Sequence, residues 1–222
     1  MRNAEAFDTR VHLIAGPTHV QRFGVQGVVD IAAKGASVLQ LRDKTSSAKA
    51  LFDATLELKT ACDERNLPFL INDYVDIAMT VDATGVHVGQ QDMNGEAIRR
   101  VLKGDAIIGL SIKNEKDLDR APLDEIDYLS IGGVFETTSK NNPEPPIGID
   151  GLSNLVTSAR RVFDGPIIAI AGITLENAAQ AIEAGVDGVA IISTIWDADE
   201  PEAALAELRE TIDAKLSERQ NS

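Results

Sequence analysis

The chain has 222 residues and is 44% hydrophobic but only 4% aromatic, so its core is aliphatic, and its length suits one α/β barrel. A net charge of −14 excludes nonspecific binding to nucleic acid or an anionic membrane, which needs a basic surface, while leaving room for a small phosphorylated ligand held by local donors. A single cysteine excludes an internal disulfide and fits a reducing cytoplasm; Met1–Arg10 carries no long apolar core, and no segment approaches the roughly 18 apolar residues of a membrane span, so a soluble, unexported protein is expected.

Short β-rich apolar runs recur along the chain at Val11–Ala15, Ser37–Leu41, Pro68–Ile71, Gly85–Val88, Ile107–Leu110, Tyr128–Ile131, Ile167–Ala171 and Gly188–Ile192. Longer amphipathic stretches separate them. After Ser46 or Ser47, either of which can cap a helix, Leu51, Ala54, Thr55, Leu58 and Cys62 recur at helical spacing. Cys62 therefore reads as a small core residue. Thr174 is expected to cap a second helix with Ala178, Ala181 and Ile182 inside and Gly185 at its end. Pro201 opens the last helix, whose stripe is Ala204, Leu205, Leu208, Ile212 and Leu216; the polar tail after Leu216 is expected to fray.

Lys34-Gly35-Ala36-Ser37-Val38 and Ala184-Gly185-Val186-Asp187-Gly188-Val189 echo each other as helix end, tight turn and buried strand. Repeated strand-then-helix units force parallel pairing through right-handed crossovers. Eight such units predict a single (β/α)8 TIM barrel spanning 1–222. The alternative is an open doubly wound sheet. It would more often carry a glycine-rich dinucleotide loop after its first strand, and Ala15-Gly16-Pro17-Thr18 is not one. The irregular stretch Phe135–Gly148, with three prolines, leaves the sixth strand at the catalytic face and reads as a mobile lid.

Polar residues collect at the expected carboxyl ends of the strands. Alternation along the second strand puts Gln40, Arg42 and Lys44 on one side, where Arg offers a planar donor fork and Lys a compact charge; the plainer reading is a solvated turn. The third strand ends in Asn72-Asp73 and the fourth in Gln90-Gln91-Asp92. Singly, Asp73 and Asp92 are cap or turn residues. Together, beside a basic cluster, they fit Mg2+ bound through one or two carboxylates and substrate phosphate. Ser111 ends the fifth strand as a possible hydroxyl donor. Thr137-Thr138-Ser139-Lys140 reads as a phosphate contact or as an ordinary exposed loop. Gly172, after the seventh strand, and Ile192-Ser193, after the eighth, fit a backbone phosphate cradle. His87 points with Gly89, into the barrel, as a core histidine or an orienting group. His12 and His19 carry little signal, and Trp196 is expected behind the eighth strand.

Read in order, Gln40-Leu41-Arg42-Asp43-Lys44, Ile71-Asn72-Asp73, Gly85-Val86-His87-Val88-Gly89-Gln90-Gln91-Asp92, Phe135-Glu136-Thr137-Thr138-Ser139-Lys140 and Ala169-Ile170-Ala171-Gly172-Ile173-Thr174 resemble the thiamine-phosphate synthase family, from about Val11 to Trp196. The resemblance implies a transferase of thiamine biosynthesis. It would join the diphosphate of 4-amino-5-hydroxymethyl-2-methylpyrimidine to 4-methyl-5-(2-phosphooxyethyl)thiazole, giving thiamine monophosphate and pyrophosphate. By the same resemblance, Gln40, Arg42, Lys44, Asn72, Ser111 and Lys140 would bind the pyrimidine diphosphate. Thr137, Thr138, Ser139, Gly172, Ile192 and Ser193 would hold the thiazole phosphate, and Asp73 and Asp92 would hold Mg2+. Arg42, Lys44 and Lys140 would carry the catalytic charge. The family often has Gly-Pro where this chain has Gly132-Gly133, a change expected to loosen the lid, and a second threonine where this chain has Ser139, which keeps the hydroxyl.

Two rivals remain at this stage. A thiazole tautomerase shares the fold and needs no diphosphate site, and a non-catalytic sensor would bind thiamine phosphates without chemistry. The residues imply no nucleic-acid or membrane partner and do not fix the oligomeric state.

Overall fold

A computed structural model describes residues 7–102, 104–137 and 145–221. Eight parallel strands close into a barrel in sequence order: β1 (Val11–Ala15), β2 (Val38–Leu41), β3 (Phe69–Asn72), β4 (Gly85–Val88), β5 (Ile107–Ile112), β6 (Tyr128–Ile131), β7 (Ile167–Ile170) and β8 (Gly188–Ile191), with β8 paired back to β1. The barrel is thus realised and the open sheet is not. Closure leaves no strand edge, so every ladder is paired on both sides.

The strands are buried on both faces, and the two faces do different work. Outward residues such as Leu13, Leu39, Ile71, Val86, Ile108, Leu129, Ala169 and Val189 pack under the helices in one aliphatic layer. Inward residues Ile14, Val38, Leu70, Tyr128, Ile168 and Ala190 form a separate plug inside the barrel. A period of two makes this sorting automatic once register is set.

Helices α1 (Pro17–Ala32), α2 (Ala48–Glu64), α3 (Val75–Thr80), α4 (Gly95–Val101), α5 (Glu115–Arg120), α6 (Gly148–Ala159), α7 (Ala178–Glu183), α8 (Ser193–Trp196) and α9 (Pro201–Gln220) make the outer ring. In α2, Ser47 caps the first turn, accepting from the Ala50 N–H at 3.3 Å. Leu51, Thr55, Leu58 and Cys62 are buried and Ala54 is half-buried, as the spacing predicted. Burial pushes the Cys62 thiol up to about 12, which leaves it protonated and inert.

Two expectations need correction. Thr174 does not cap α7: the helix begins later, and Asn177 instead accepts from the Thr174 N–H at 2.8 Å and donates to the Gly172 carbonyl at 2.9 Å. The asparagine stabilises the turn that precedes the helix. The tail after Leu216 does not fray by Gln220: Arg219 donates to the Val186 carbonyl at 2.8 Å and to Asp187 at 2.9 Å, tying α9 to the entrance of β8. Trp196 is wholly buried and donates from Nε1 to the Ile14 carbonyl at 2.7 Å, with His19 stacked on it, so it closes the barrel seam at β1.

No helix among the described residues is long and apolar enough to cross a membrane.

Candidate active site

The mouth at the carboxyl ends of the strands is built from inward residues at the ends of seven of the eight strands. On β2 to β5 these are Gln40, Asn72, His87 and Ser111, all polar; on β7, β8 and β1 they are Ile170, Ile192, just past the end of β8, and Ile14. One half of the rim is therefore a hydrogen-bonding arc and the other half is apolar. Together they enclose a cavity of about 70 Å3.

Of the residues expected to bind ligand, Gln40, Arg42, Asn72, Ser111, Thr137, Gly172, Ile192 and Ser193 all line this cavity. Gln40 donates to the Asn72 carbonyl oxygen at 2.9 Å, which fixes both amides and turns the Asn72 amino group toward other acceptors. Arg42 has no carboxylate partner among the described residues, so its guanidinium fork is uncommitted. Asp43, between Arg42 and Lys44, has a local task. Burial opposes its charge, but hydrogen bonds from Ser46 and Thr45 outweigh that and hold its carboxyl below the ordinary range. They shape the turn into α2 between the two flanking cations.

Lys44, Asp73 and Asp92 stand beside the cavity rather than lining it. The Lys44 ammonium lies 2.9 Å from Asp73 Oδ2. Asp73 follows β3 in the left-handed region at φ 66°, and its N–H donates to the His87 carbonyl at 2.9 Å. Asp92 folds back to accept from the Gly89 N–H at 2.8 Å. Burial, and then the contact with Asp92, push the Asp73 carboxyl above its ordinary value despite the Lys44 ammonium. Two crowded acids of this kind are a place where a further cation is favoured. Among the described residues no group of three or more His, Cys, Asp or Glu gathers, so the protein would supply two carboxylates and leave the other positions to water or phosphate, as Mg2+ commonly accepts.

Thr138, Ser139 and Lys140 lie outside the described residues, as does half of the expected lid. The base of that loop is described and is pinned: the Ile147 N–H donates to the Gly133 carbonyl at 2.9 Å and the Gly148 N–H to the Val134 carbonyl at 3.0 Å. Gly133 takes φ 75°, which a proline ring cannot adopt, so this turn follows a path open to glycine. Gly172, at φ 66°, also meets a packing demand. A Cβ there would overlap Glu136 and Phe135, so the missing side chain admits the incoming loop as well as leaving the backbone bare.

A family model described as thiamine monophosphate synthase matches residues 11–195. The chain belongs to the thiamine monophosphate synthase family. A thiamine-phosphate synthase from Agrobacterium fabrum is 43% identical over 190 residues, covering 85% of this chain and 86% of the relative. One from Chloroflexus aurantiacus is 37% identical over 210 residues, covering 94% and 95%. Among solved structures, a thiamine phosphate pyrophosphorylase from Pyrococcus furiosus superposes with a TM-score of 0.80 at 29% identity, covering 95% of this chain and 98% of that one. The chain is thus an enzyme, a transferase with thiamine-phosphate synthase activity, the reaction that defines the thiamine monophosphate synthase family.

In this family member, sequence reasoning missed part of the site. Ile14, Ile170, Ala171, Ile173, Ala190 and Thr194 also line the cavity. Their apolar character reads as core, and only the barrel register turns them toward the mouth. His12 carries little signal in the sequence, yet it is wholly buried beneath the mouth, where burial drops its imidazole to about 4. Among the described residues neither ring nitrogen makes a hydrogen bond of good geometry, although Gln40 lies near enough to oppose that shift weakly. A wider open groove of about 580 Å3, lined by Glu96, Arg99, Arg100 and Asp124, holds none of the expected residues. Its Arg99 is committed to Asp127 at 2.6 Å.

Proposed function

We propose that the mouth binds the diphosphate of 4-amino-5-hydroxymethyl-2-methylpyrimidine and 4-methyl-5-(2-phosphooxyethyl)thiazole together, and that Asp73 and Asp92 hold Mg2+. The observation that carries this reading is the grouping of two adjacent carboxylates, the Arg42 and Lys44 cations and a polar arc around one cavity.

The chemistry is a displacement at the exocyclic methylene of the pyrimidine. The bond from that carbon to the diphosphate oxygen breaks, and the thiazole nitrogen donates its lone pair to the same carbon. No proton is lost, and no side-chain nucleophile is required. The electron-rich aminopyrimidine stabilises the cationic carbon, so the departure of pyrophosphate runs ahead of attack. Mg2+, when bound, supplies charge neutralisation on the diphosphate.

The protein's own contribution is electrostatic and positional. Arg42 presents a fork of donors to the diphosphate. Lys44 exchanges its Asp73 carboxylate for diphosphate oxygen, and Lys140 adds a third positive charge from the loop after β6. The Gln40–Asn72 pair presents fixed amide groups to the edge of the aminopyrimidine. Ile14, Ile170 and Ile192 keep water from the cationic carbon. Thr137, Thr138, Ser139, Gly172 and Ser193 hold the thiazole phosphate, with the backbone beside Ile192 contributing to the same cradle. Charges on the leaving group and on the second phosphate are thus met on opposite arcs of one rim.

The test is omission. Pyrophosphate release should require both substrates and Mg2+ at once. Release from the pyrimidine diphosphate alone, or turnover of the thiazole phosphate without it, would point to other chemistry.

A further inference from the structure

From beneath the polar arc up into it, three neighbouring strands carry a chain of hydrogen bonds. The Tyr128 hydroxyl lies 2.7 Å from His87 Nδ1, and His87 Nε2 lies 2.8 Å from Ser111 Oγ. Gly109 makes the first contact possible. It is the register partner of both His87 and Tyr128, so it sits between them in the sheet. A Cβ at Gly109 would overlap the Tyr128 ring. Without one, the phenol crosses β5 and stacks against the imidazole, with ring centroids 5.4 Å apart.

The direction of the chain follows from what each group can give. A neutral imidazole donates from one nitrogen and accepts at the other. Tyr128 is wholly buried, and burial pushes its phenol well above the ordinary value, so the oxygen keeps its proton. Among the described residues its hydroxyl has one hydrogen-bond partner, His87 Nδ1. His12, whose ring centroid is 5.8 Å away, meets it ring to ring and bonds to it through neither nitrogen. A buried O–H with no acceptor costs about 1–3 kcal/mol, so the phenol donates to Nδ1. The imidazole proton is then on Nε2, which donates to Ser111 Oγ. The serine hydroxyl, already accepting, has its own proton left to give toward the cavity.

We propose that Tyr128 and His87 are positioning residues that fix Ser111 as a hydrogen-bond donor, so that the mouth selects a substrate presenting an acceptor at that point. The ligand concerned is the pyrimidine diphosphate, and in that respect alone the inference rests on the proposed function. A serine hydroxyl free to rotate would serve donor and acceptor ligands alike. The buried relay fills one of the two acceptor sites on the serine oxygen and so biases the hydroxyl toward donation before any ligand arrives.

The test has two parts. Nitrogen-15 NMR of the histidine-labelled, ligand-free enzyme should find His87 as the neutral tautomer protonated on Nε2, with a bare Nδ1. A proton on Nδ1 overturns the proposal, and this measurement needs no variant to fold. In kinetics, His87→Leu and Ser111→Ala should each lower kcat/KM for the pyrimidine diphosphate about tenfold and leave KM for the thiazole phosphate unchanged, with the double variant no worse than His87→Leu. Losses that multiply, or that fall on both substrates, mean that His87 acts as packing alone and overturn the proposal. If the unaltered enzyme holds the expected tautomer but releases no pyrophosphate, the functional reading fails and the polarity of the relay stands.

Discussion

The ammonium of Lys44 rests 2.9 Å from a carboxylate oxygen of Asp73, whose other charged neighbour is Asp92. The Lys44–Asp73 pair and Asp92 thus stand at the edge of a cavity lined by Arg42, which has no carboxylate partner among the described residues. A bound Mg2+ would relieve the repulsion between the two acids.

Asp73 should make the ligand-free protein less stable as pH rises. Its folded value is raised, so its favourable contribution is fully present below the ordinary carboxyl value of 3.8 and is lost as pH climbs through the folded value. At neutral pH the ionised group is a net cost. Asp73→Asn, which tolerates the φ of 66°, should therefore raise Tm at neutral pH by the equivalent of up to about 1 kcal/mol, with the gap closing as pH falls. Melting curves across pH without divalent ions measure this. A lower Tm at neutral pH would mean that the Lys44 pair outweighs burial and Asp92.

Asp92→Ala should keep the fold and lose Mg2+-dependent turnover by roughly 10²–10³-fold, about 2.7–4 kcal/mol in the barrier by comparison with other preorganised electrostatic contacts. The fold survives because Asp92 has a single backbone partner among the described residues, the Gly89 N–H. Steady-state rates against Mg2+ concentration check this; near-normal rates remove Asp92 from the site.

Gly109→Ala should destabilise the protein by about 1–3 kcal/mol, the usual cost of overpacking a core. The added methyl meets the Tyr128 ring within the barrel. Urea denaturation measures the loss, and unchanged stability would show that the ring can move aside.

Much of this was legible in the chain. The eight apolar runs fall on the eight strands to within two residues at each end, because parallel strands buried on both faces leave an uninterrupted aliphatic signature. The polar arc was legible for the same reason: Gln40, Asn72 and Ser111 interrupt runs that are otherwise apolar. The apolar arc was not, since Ile14 and Ile170 look like any other core residue until the register orients them. Tyr128 was hidden as an ordinary strand aromatic. Its only sequence signal was a glycine in the middle of β5, which marks close approach of a neighbour without naming it. Thr174 misled because a good capping residue also stabilises a turn, and Asn177 three positions later decided between them.

Arg219→Ala should cost up to about 1 kcal/mol, since the side chain is partly exposed and screened, and should leave kcat unchanged. Its partners, Val186 and Asp187, precede β8 at the end of the barrel remote from the mouth. Thermal melts and rates on one preparation separate the two effects. A fall in kcat would mean that anchoring α9 also sets the geometry of the mouth.

Calorimetric titration of pyrophosphate into the ligand-free protein tests the metal–diphosphate site most directly. The account predicts binding that needs Mg2+ in the unaltered protein and is lost in Asp92→Ala. Equal binding with and without Mg2+, or an unchanged isotherm in Asp92→Ala, would contradict it.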